Sequence, residues 1–275
     1  MPIVFTIINH KGGTGKTTSA LHLATYFSRQ GYRTLAVDLD SQRNLSIGFG
    51  IRESNHHIGT LLLSQSSFEQ TLRRADSGVW LLPSNRKLLT FEYLIANETE
   101  RDYFLKDVIA DYQNDFDYVF IDCAPSLGAL SINALVAADY YIVPMQAENF
   151  AFIGLDTILE TASVIQKRMN PKLKIGGVLL TRFDHRTQFG QSVIQKINED
   201  VRLKDKTFQT PIRQDIALME CTALGTSVFD YAPKSRGAQD YEALALELLA
   251  LVNPQKTYQP LPQQLPSQGI HHSDQ

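Results

Sequence analysis

One stretch constrains this chain more than any other: a β-rich run over residues 3–9, then His10-Lys11-Gly12-Gly13-Thr14-Gly15-Lys16-Thr17-Thr18. Three glycines within four residues force a tight turn, and residues 16–30 then read as a helix that Gly31 closes as a C-terminal cap. Residues 34–40 (TLAVDLD) form a second β-rich run, so strand, loop, helix and strand fit into forty residues. A connection of that length through a helix makes the two strands parallel. The pattern recurs, with strands expected at residues 79–82, 118–122, 140–144 and 175–181, and a further candidate at 208–212. Helices are expected at 103–112, 130–138, 155–169, 191–199 and 240–252. The strands are near-continuous Val, Ile, Leu, Phe and Tyr runs instead of alternations, as in sheets covered on both faces. The expectation is an α/β fold, a doubly wound and mostly parallel sheet flanked by helices.

The loop also has a chemistry. Gly12, Gly13 and Gly15 let backbone N–H groups converge at a helix N-terminus, where a phosphate is favoured, with Thr14 and Thr18 in the same cradle. Lys16 stands where its ammonium would reach the outer phosphates, and the Thr17 hydroxyl where it would meet Mg²⁺. An ordinary Gly-rich turn would not need that lysine and hydroxyl together. His10 occupies a position at which the common phosphate-loop pattern has glycine, and Lys11 is an added cation. Three carboxylates end strands nearby: Asp38 and Asp40 in VDLDSQ, and Asp122 in YVFID. Ligands of parallel sheets gather at the carboxyl ends of strands, where such groups serve Mg²⁺ or position a water. A lone strand-end Asp is more often a cap, but three beside this loop point to the nucleotide chemistry.

Length and composition narrow the class. With 275 residues, 43% hydrophobic and 20% charged, the chain suits one globular domain, expected over residues 1–252. From residue 253 the composition turns to Pro, Gln, Ser and His, and 253–275 is expected to be a disordered tail. Charged residues interrupt every apolar stretch, and the opening MPIVFTIINHKGG has no basic segment followed by an apolar one. Neither a membrane span nor a signal peptide is expected, hence a cytoplasmic protein. The two cysteines, Cys123 and Cys221, read as reduced core thiols. His56 and His57 lack a third ligand, and Trp80 reads as packing.

The net charge of −3 is unevenly spread: residues 167–213 carry eleven Lys/Arg against four Asp/Glu. Arg182, Arg186, Lys196, Arg202, Lys204, Lys206 and Arg213 are therefore candidates for contact with a polyanion such as DNA, although solvated helix faces are the commoner meaning of such a count.

KGGTGKTT, VDLDSQ and DYVFIDCAPSLG resemble the deviant Walker A, A′ and B motifs of the ParA/Soj ATPases. VLLTRFDHRT and SVFDYAPKSRGAQDYEALALELL resemble later segments of the same family, and the likeness covers about residues 2–252 in order. The resemblance implies a P-loop ATPase using ATP and Mg²⁺, with Lys11 reaching the partner's phosphates in an ATP-dependent homodimer. It implies Lys16 and Thr17 on phosphate and metal, Asp40 orienting the hydrolytic water, and Asp38 and Asp122 near Mg²⁺, mostly through water. Residues 41–44 and 124–128 fall where the family's two switch loops lie. The family pattern also implies nonspecific double-stranded DNA binding, a nucleoid-associated location and a ParB-like adaptor that stimulates hydrolysis, in plasmid or chromosome partitioning.

There are departures from the family pattern. The stretch IRQDIALMECT has Arg213 and Gln214 where many members have Pro-Arg, and Ala217 where they have a later arginine, so Arg213 enters as a nucleotide-side candidate too. Ser41 replaces a usual proline. No helix-turn-helix segment precedes the first strand, so sequence-specific operator binding is not expected. The same engine could instead position a microcompartment or a protein cluster. A MinD-like membrane-surface ATPase fits less well, because the C-terminal stretch holds one lysine and four prolines instead of a basic amphipathic helix. An iron–sulfur reductase would need suitably placed cysteines, and a metabolic enzyme a substrate pocket that no residue set identifies.

Overall fold

A computed structural model describes residues 1–95, 98, 100–148, 151–184 and 186–255. The strands are β1 (Ile3–Ile7), β2 (Thr34–Leu39), β3 (Arg73–Arg74), β4 (Trp80–Leu82), β5 (Tyr118–Cys123), β6 (Tyr140–Gln146) and β7 (Lys174–Thr181). They form one sheet in the order β3-β4-β2-β5-β1-β6-β7, parallel except for the short β3 at its edge. The helices among the described residues are α1 (Lys16–Arg29), α2 (Asn44–Gly48), α3 (Ile58–Leu62), α4 (Phe68–Thr71), α5 (Phe91–Leu94) and α6 (Phe104–Asp111). They continue as α7 (Ala129–Ala137), α8 (Ala151–Arg168), α9 (Gln188–Glu199), α10 (Ile216–Leu224), α11 (Val228–Tyr231) and α12 (Arg236–Val252).

Two hydrophobic clusters sandwich the sheet, and strand parity decides which residue joins which. Val4 and Ile8, Leu35 and Val37, and Val119 and Ile121 belong to one cluster; Phe5 and Ile7, Ala36, and Tyr118 and Phe120 belong to the other. Both faces are therefore dry, which is why the strands read as continuous apolar runs. The second cluster includes Leu21, Leu23 and Phe27 of α1 and Tyr241, Leu244 and Leu248 of α12. Asp38 and Asp122 lie side by side in the β2–β5 register, with the parity of Ala36 and Phe120. That parity aims both carboxylates to the side on which α1 packs.

Helix α1 ends as its sequence predicts. Gly31 takes φ +86°, its N–H donates to the Ser28 carbonyl, and the Tyr32 N–H donates to the Phe27 carbonyl. This Schellman arrangement is closed by the Phe27 and Tyr32 rings, whose centroids are 6.0 Å apart.

One expected strand does not form. Residues 208–212 make no strand; Thr207 and Ile212 instead make isolated parallel bridges to Val178 and Thr181 of β7. Five residues here oppose three on β7, and Pro211 has no N–H to give. The segment therefore bows out, and the N–H groups of Gln209 and Thr210 donate to the Glu247 carboxylate on α12. Helices α8 and α12 start earlier than expected, at Ala151 and Arg236. The expected tail runs almost wholly over residues 256–275, which lie outside the described residues. Among the described residues no helix is long and apolar enough to cross a membrane.

Candidate functional site

The Gly-rich loop joins β1 to α1 at the carboxyl end of the sheet. Gly13 and Gly15 take φ +75° and +93°, the left-handed region that glycine enters without a Cβ clash. Gly15 is also crowded, since a Cβ there would stand 3.3 Å from the Thr181 methyl. No side chain caps α1, so its first-turn N–H groups point to the loop's concavity, a site for an anion.

Neighbouring strands hold the loop in shape. The Thr181 hydroxyl at the end of β7 donates to the Thr14 carbonyl at 2.8 Å, and the Gln146 amide at the end of β6 donates to the Gly13 carbonyl at 2.6 Å. The Asn9 amide donates to the Pro144 carbonyl, while its oxygen accepts from the Lys11 N–H at 3.0 Å. Sequence reasoning missed Asn9, Gln146 and Thr181, because their partners are carbonyls more than 130 residues away in all three cases. Only their position at strand ends could have drawn attention to them.

The two lysines of the loop behave differently. Lys16 is buried, and its ammonium folds back to donate to the Lys11 carbonyl at 2.9 Å. Burial lowers its pKa, with Asp122 first among the neighbouring charges that oppose the shift. Lys11 is half exposed, its ammonium paired with Glu148 just past the end of β6.

Asp38, Asp40 and Asp122 converge on the same end of the sheet. Asp38 is fully buried, yet its oxygens accept from the Ser46 N–H at 2.8 Å, the Ser46 hydroxyl at 2.7 Å and the Asp40 N–H at 3.1 Å. Burial raises its pKa to about 6 against these hydrogen bonds. Asp122 is the contrasting case: it too is fully buried, and no donor among the described residues reaches either oxygen in hydrogen-bonding geometry. Burial and the Asp38 charge push its pKa well above the usual carboxylate range, while Thr17 and Lys16 beside it pull the other way. A buried carboxylate without donors, adjoining a threonine hydroxyl, is a setting that a hard divalent cation would complete. Asp40 lies at the cleft wall, its carboxylate accepting from the Gln42 N–H at 2.9 Å and setting the turn that leads into α2.

These groups border a cleft of about 700 Å³, walled by Lys16, Thr17, Asp40, Pro125, Arg213 and Tyr241 among others. Its size suits a nucleotide. Arg213 is held there by Asp240, which accepts from its backbone N–H and, at 2.7 Å, from its guanidinium. That pairing leaves Arg213 a less available cation than the sequence suggests, for nucleotide or for polyanion. Gln214 and Arg182 also border the cleft, and Arg182 adopts φ +48° at the end of β7.

The residues set aside earlier have structural work. His57 caps α3 by accepting from the Gly59 N–H at 3.2 Å. Trp80 packs against the core with Arg74 over its ring, and both cysteines are buried and free. Among the described residues no three His, Cys, Asp or Glu side chains form a ready metal cage.

Comparison with known proteins places the chain among relatives. An AAA domain family model (AAA_31) matches residues 3–175. The chromosome-partitioning ATPase Soj of Treponema pallidum is 35% identical over 244 residues, covering 88% of this chain and 95% of that protein. A structure of cobyrinic acid a,c-diamide synthase from Mycobacterium smegmatis, with bound ATP analog and magnesium, superposes with a TM-score of 0.83 at 33% identity. The match covers 93% of this chain and 97% of that one. A putative plasmid partition protein from Borrelia burgdorferi bound to AMPPNP gives 0.76 at 25% identity, over 92% and 100% of the two chains.

Proposed function

This chain belongs to the ParA/Soj family of P-loop ATPases, and on that premise we propose that it is an ATP-driven dimerisation switch for DNA partitioning. In this reading the ATP form binds duplex DNA without sequence preference. A ParB-like adaptor on the cargo then triggers hydrolysis and release, and one folded unit over residues 1–252 carries the engine.

The supporting observation is the division of labour between the two lysines. Lys16 lies inside the loop against the Lys11 carbonyl, whereas the half-exposed Lys11 ammonium pairs with Glu148, two residues past the end of β6. A cation held outside its own phosphate cradle can exchange its carboxylate for a second subunit's phosphates, whose larger charge favours the exchange once ATP brings them within reach. Delivered in trans, it would stabilise charge developing in phosphoryl transfer, so that turnover requires assembly.

The remaining roles follow from position. The N–H groups of residues 12–18 and the Lys16 ammonium bind the phosphates. Thr17 and Asp122, with Asp38 behind, would hold Mg²⁺ with ATP, and the ion when bound neutralises charge between the outer phosphates. Asp40 orients the attacking water, and the turn after it, held by the Gln42 N–H and by the Arg43 N–H on the Asp40 carbonyl, would sense the outermost phosphate.

The test is ATP turnover as a function of protein concentration, with and without random-sequence duplex. A rate per subunit that climbs with concentration is expected, together with DNA binding only in the ATP state. Turnover that is independent of concentration and DNA but requires an added organic acid would instead favour a synthase reading, the activity named for one of the structural relatives.

A further inference from the structure

The fold divides the basic half of the chain into two populations that the sequence pools together. Between Asp184 and Arg213 the arginines are occupied: Arg186 pairs with Asp184, Arg202 with Asp156 and Asp200, and Arg213 with Asp240. To reach a phosphate each would have to leave its carboxylate, which would then face the phosphate as a like charge. Lys196 is half committed, its ammonium 4.5 Å from the Phe152 ring centroid.

Residues 161–183 are different. They contain Lys167, Arg168, Lys172, Lys174 and Arg182 and not one Asp or Glu. Lys167 and Arg168 end α8, Lys172 lies in the turn that follows, and Lys174 opens β7; all four are exposed, and none makes an ion pair among the described residues. Cations at a helix C-terminus favour the helix dipole, which accounts for Lys167 and Arg168 but not for Lys172 and Lys174.

The scaffold under these four residues is fixed. The Asn170 amide donates to the carbonyls of Leu135 and Ala138, and the Gln166 amide to that of Leu173 at 2.8 Å. The exposed Lys204–Lys206 turn continues the same sheet edge, with the Lys206 carbonyl accepting from the Val178 N–H at 2.7 Å. Lys174 begins the strand whose other end, Thr181, holds the Gly-rich loop, so the patch lies about 23 Å from the nucleotide cleft. It cannot be part of that site.

We infer that the edge formed by Lys167, Arg168, Lys172 and Lys174, extended by Lys204 and Lys206, is the surface that receives the phosphate backbone of duplex DNA. The inference rests on the DNA-binding reading above and moves its footprint away from Arg186, Arg202 and Arg213. A membrane surface fits less well, because among the described residues the large apolar side chains exposed on α8 and just past α9 are Val164 and Val201, and an interfacial element needs bulkier ones to insert. Cations on a fixed backbone that no carboxylate holds in an ion pair among the described residues suit a sequence-independent phosphate contact, although Asp205 stands between the two extending lysines.

The experiment measures binding of a fluorescent random-sequence duplex in the presence of an ATP analogue, from about 50 to about 200 mM salt. The unchanged chain is compared with a Lys167→Ala/Arg168→Ala/Lys172→Ala/Lys174→Ala variant and with Arg186→Ala/Arg202→Ala. The fourfold variant should bind at least about tenfold more weakly, with a salt slope shallower by about three, while the double variant changes little. Binding of the ATP analogue should be intact in both, and Lys172→Gln/Lys174→Gln, which leaves α8 untouched, should show about half the loss. Full DNA binding by the fourfold variant with loss in the double one would overturn the placement while leaving the DNA reading in force. No duplex binding by the unchanged chain would remove both. Its binding to phosphatidylglycerol vesicles instead of duplex would transfer the surface to a membrane.

Discussion

At the residue scale, the informative groups are buried polar ones, and His22 shows how far a single environment decides behaviour. Its ring is fully buried on α1, stacked 4.8 Å from Tyr241, with Nδ1 2.7 Å from the Thr18 carbonyl and Nε2 accepting from the Val228 N–H at 3.0 Å. The neutral tautomer with the proton on Nδ1 satisfies both contacts, and burial lowers the pKa to about 4. The unfolded chain takes up this proton near pH 6.5 and the folded one near 4, so folded stability is full above pH 6.5 and falls as pH drops toward 4. The loss amounts to about 3 kcal/mol for this group. Thermal melts between those pH values should show a shallower acid dependence for His22→Gln than for the unchanged chain. Equal slopes would place the acid sensitivity elsewhere. The histidine was invisible as a functional element in the sequence, because a solitary His among apolar residues carries no pattern.

At the element scale, docking of α2 against α10 depends on two glycines. Gly50 and Gly225 take φ +79° and +74°, and a Cβ on Gly225 would stand 3.0 Å from the Gly50 Cα and 3.2 Å from the Ile47 carbonyl. Both neighbours are backbone, which cannot swing aside. Gly225→Ala should therefore cost about 2 kcal/mol, from the left-handed backbone and the collision together. Chemical denaturation would register it as a lower midpoint at unchanged slope, and a neutral result would show that α10 can shift as a unit. Because α2 follows the Asp40 turn and α10 borders the nucleotide cleft, such a shift should also weaken nucleotide binding. Long periodic elements such as α1 and α12 were legible from residue order; α10 and the bowed segment 208–212 were not. In 208–212 local propensity lost to contacts with a distant element, the Glu247 carboxylate that accepts from Gln209 and Thr210, whereas α10 carries local signals of its own, Asp215 capping its start and Gly225 its end.

At the scale of the whole molecule, the proposed switch turns on Lys11. With its ammonium on Glu148, it adds little to the affinity of its own cleft for nucleotide. Lys11→Ala should consequently retain ATP binding within about threefold while losing concentration-dependent turnover, a loss of at least about tenfold. Light scattering with an ATP analogue, read beside the turnover assay, separates the two effects. A variant that hydrolyses normally would show that Lys11 has no role in trans, and one that binds no nucleotide would place the lysine inside its own cradle.

The sequence alone determined the strand-loop-helix start, the parallel two-sided sheet and the gathering of Lys16, Thr17, Asp38, Asp40 and Asp122 at one end of it. Those follow from short-range order: glycine spacing sets the loop, strand parity sets the face, and parallel topology brings strand ends together. Tertiary structure alone decided the state of each charge. Among the described residues it left Asp122 without a hydrogen bond in good geometry while giving Asp38 three, paired Lys11 with Glu148, and divided one basic stretch into arginines held by carboxylates and an edge of Lys167, Arg168, Lys172 and Lys174 outside any ion pair. A charge count is additive along the chain, but desolvation and pairing depend on what lies within a few ångströms, and only the folded chain sets those distances.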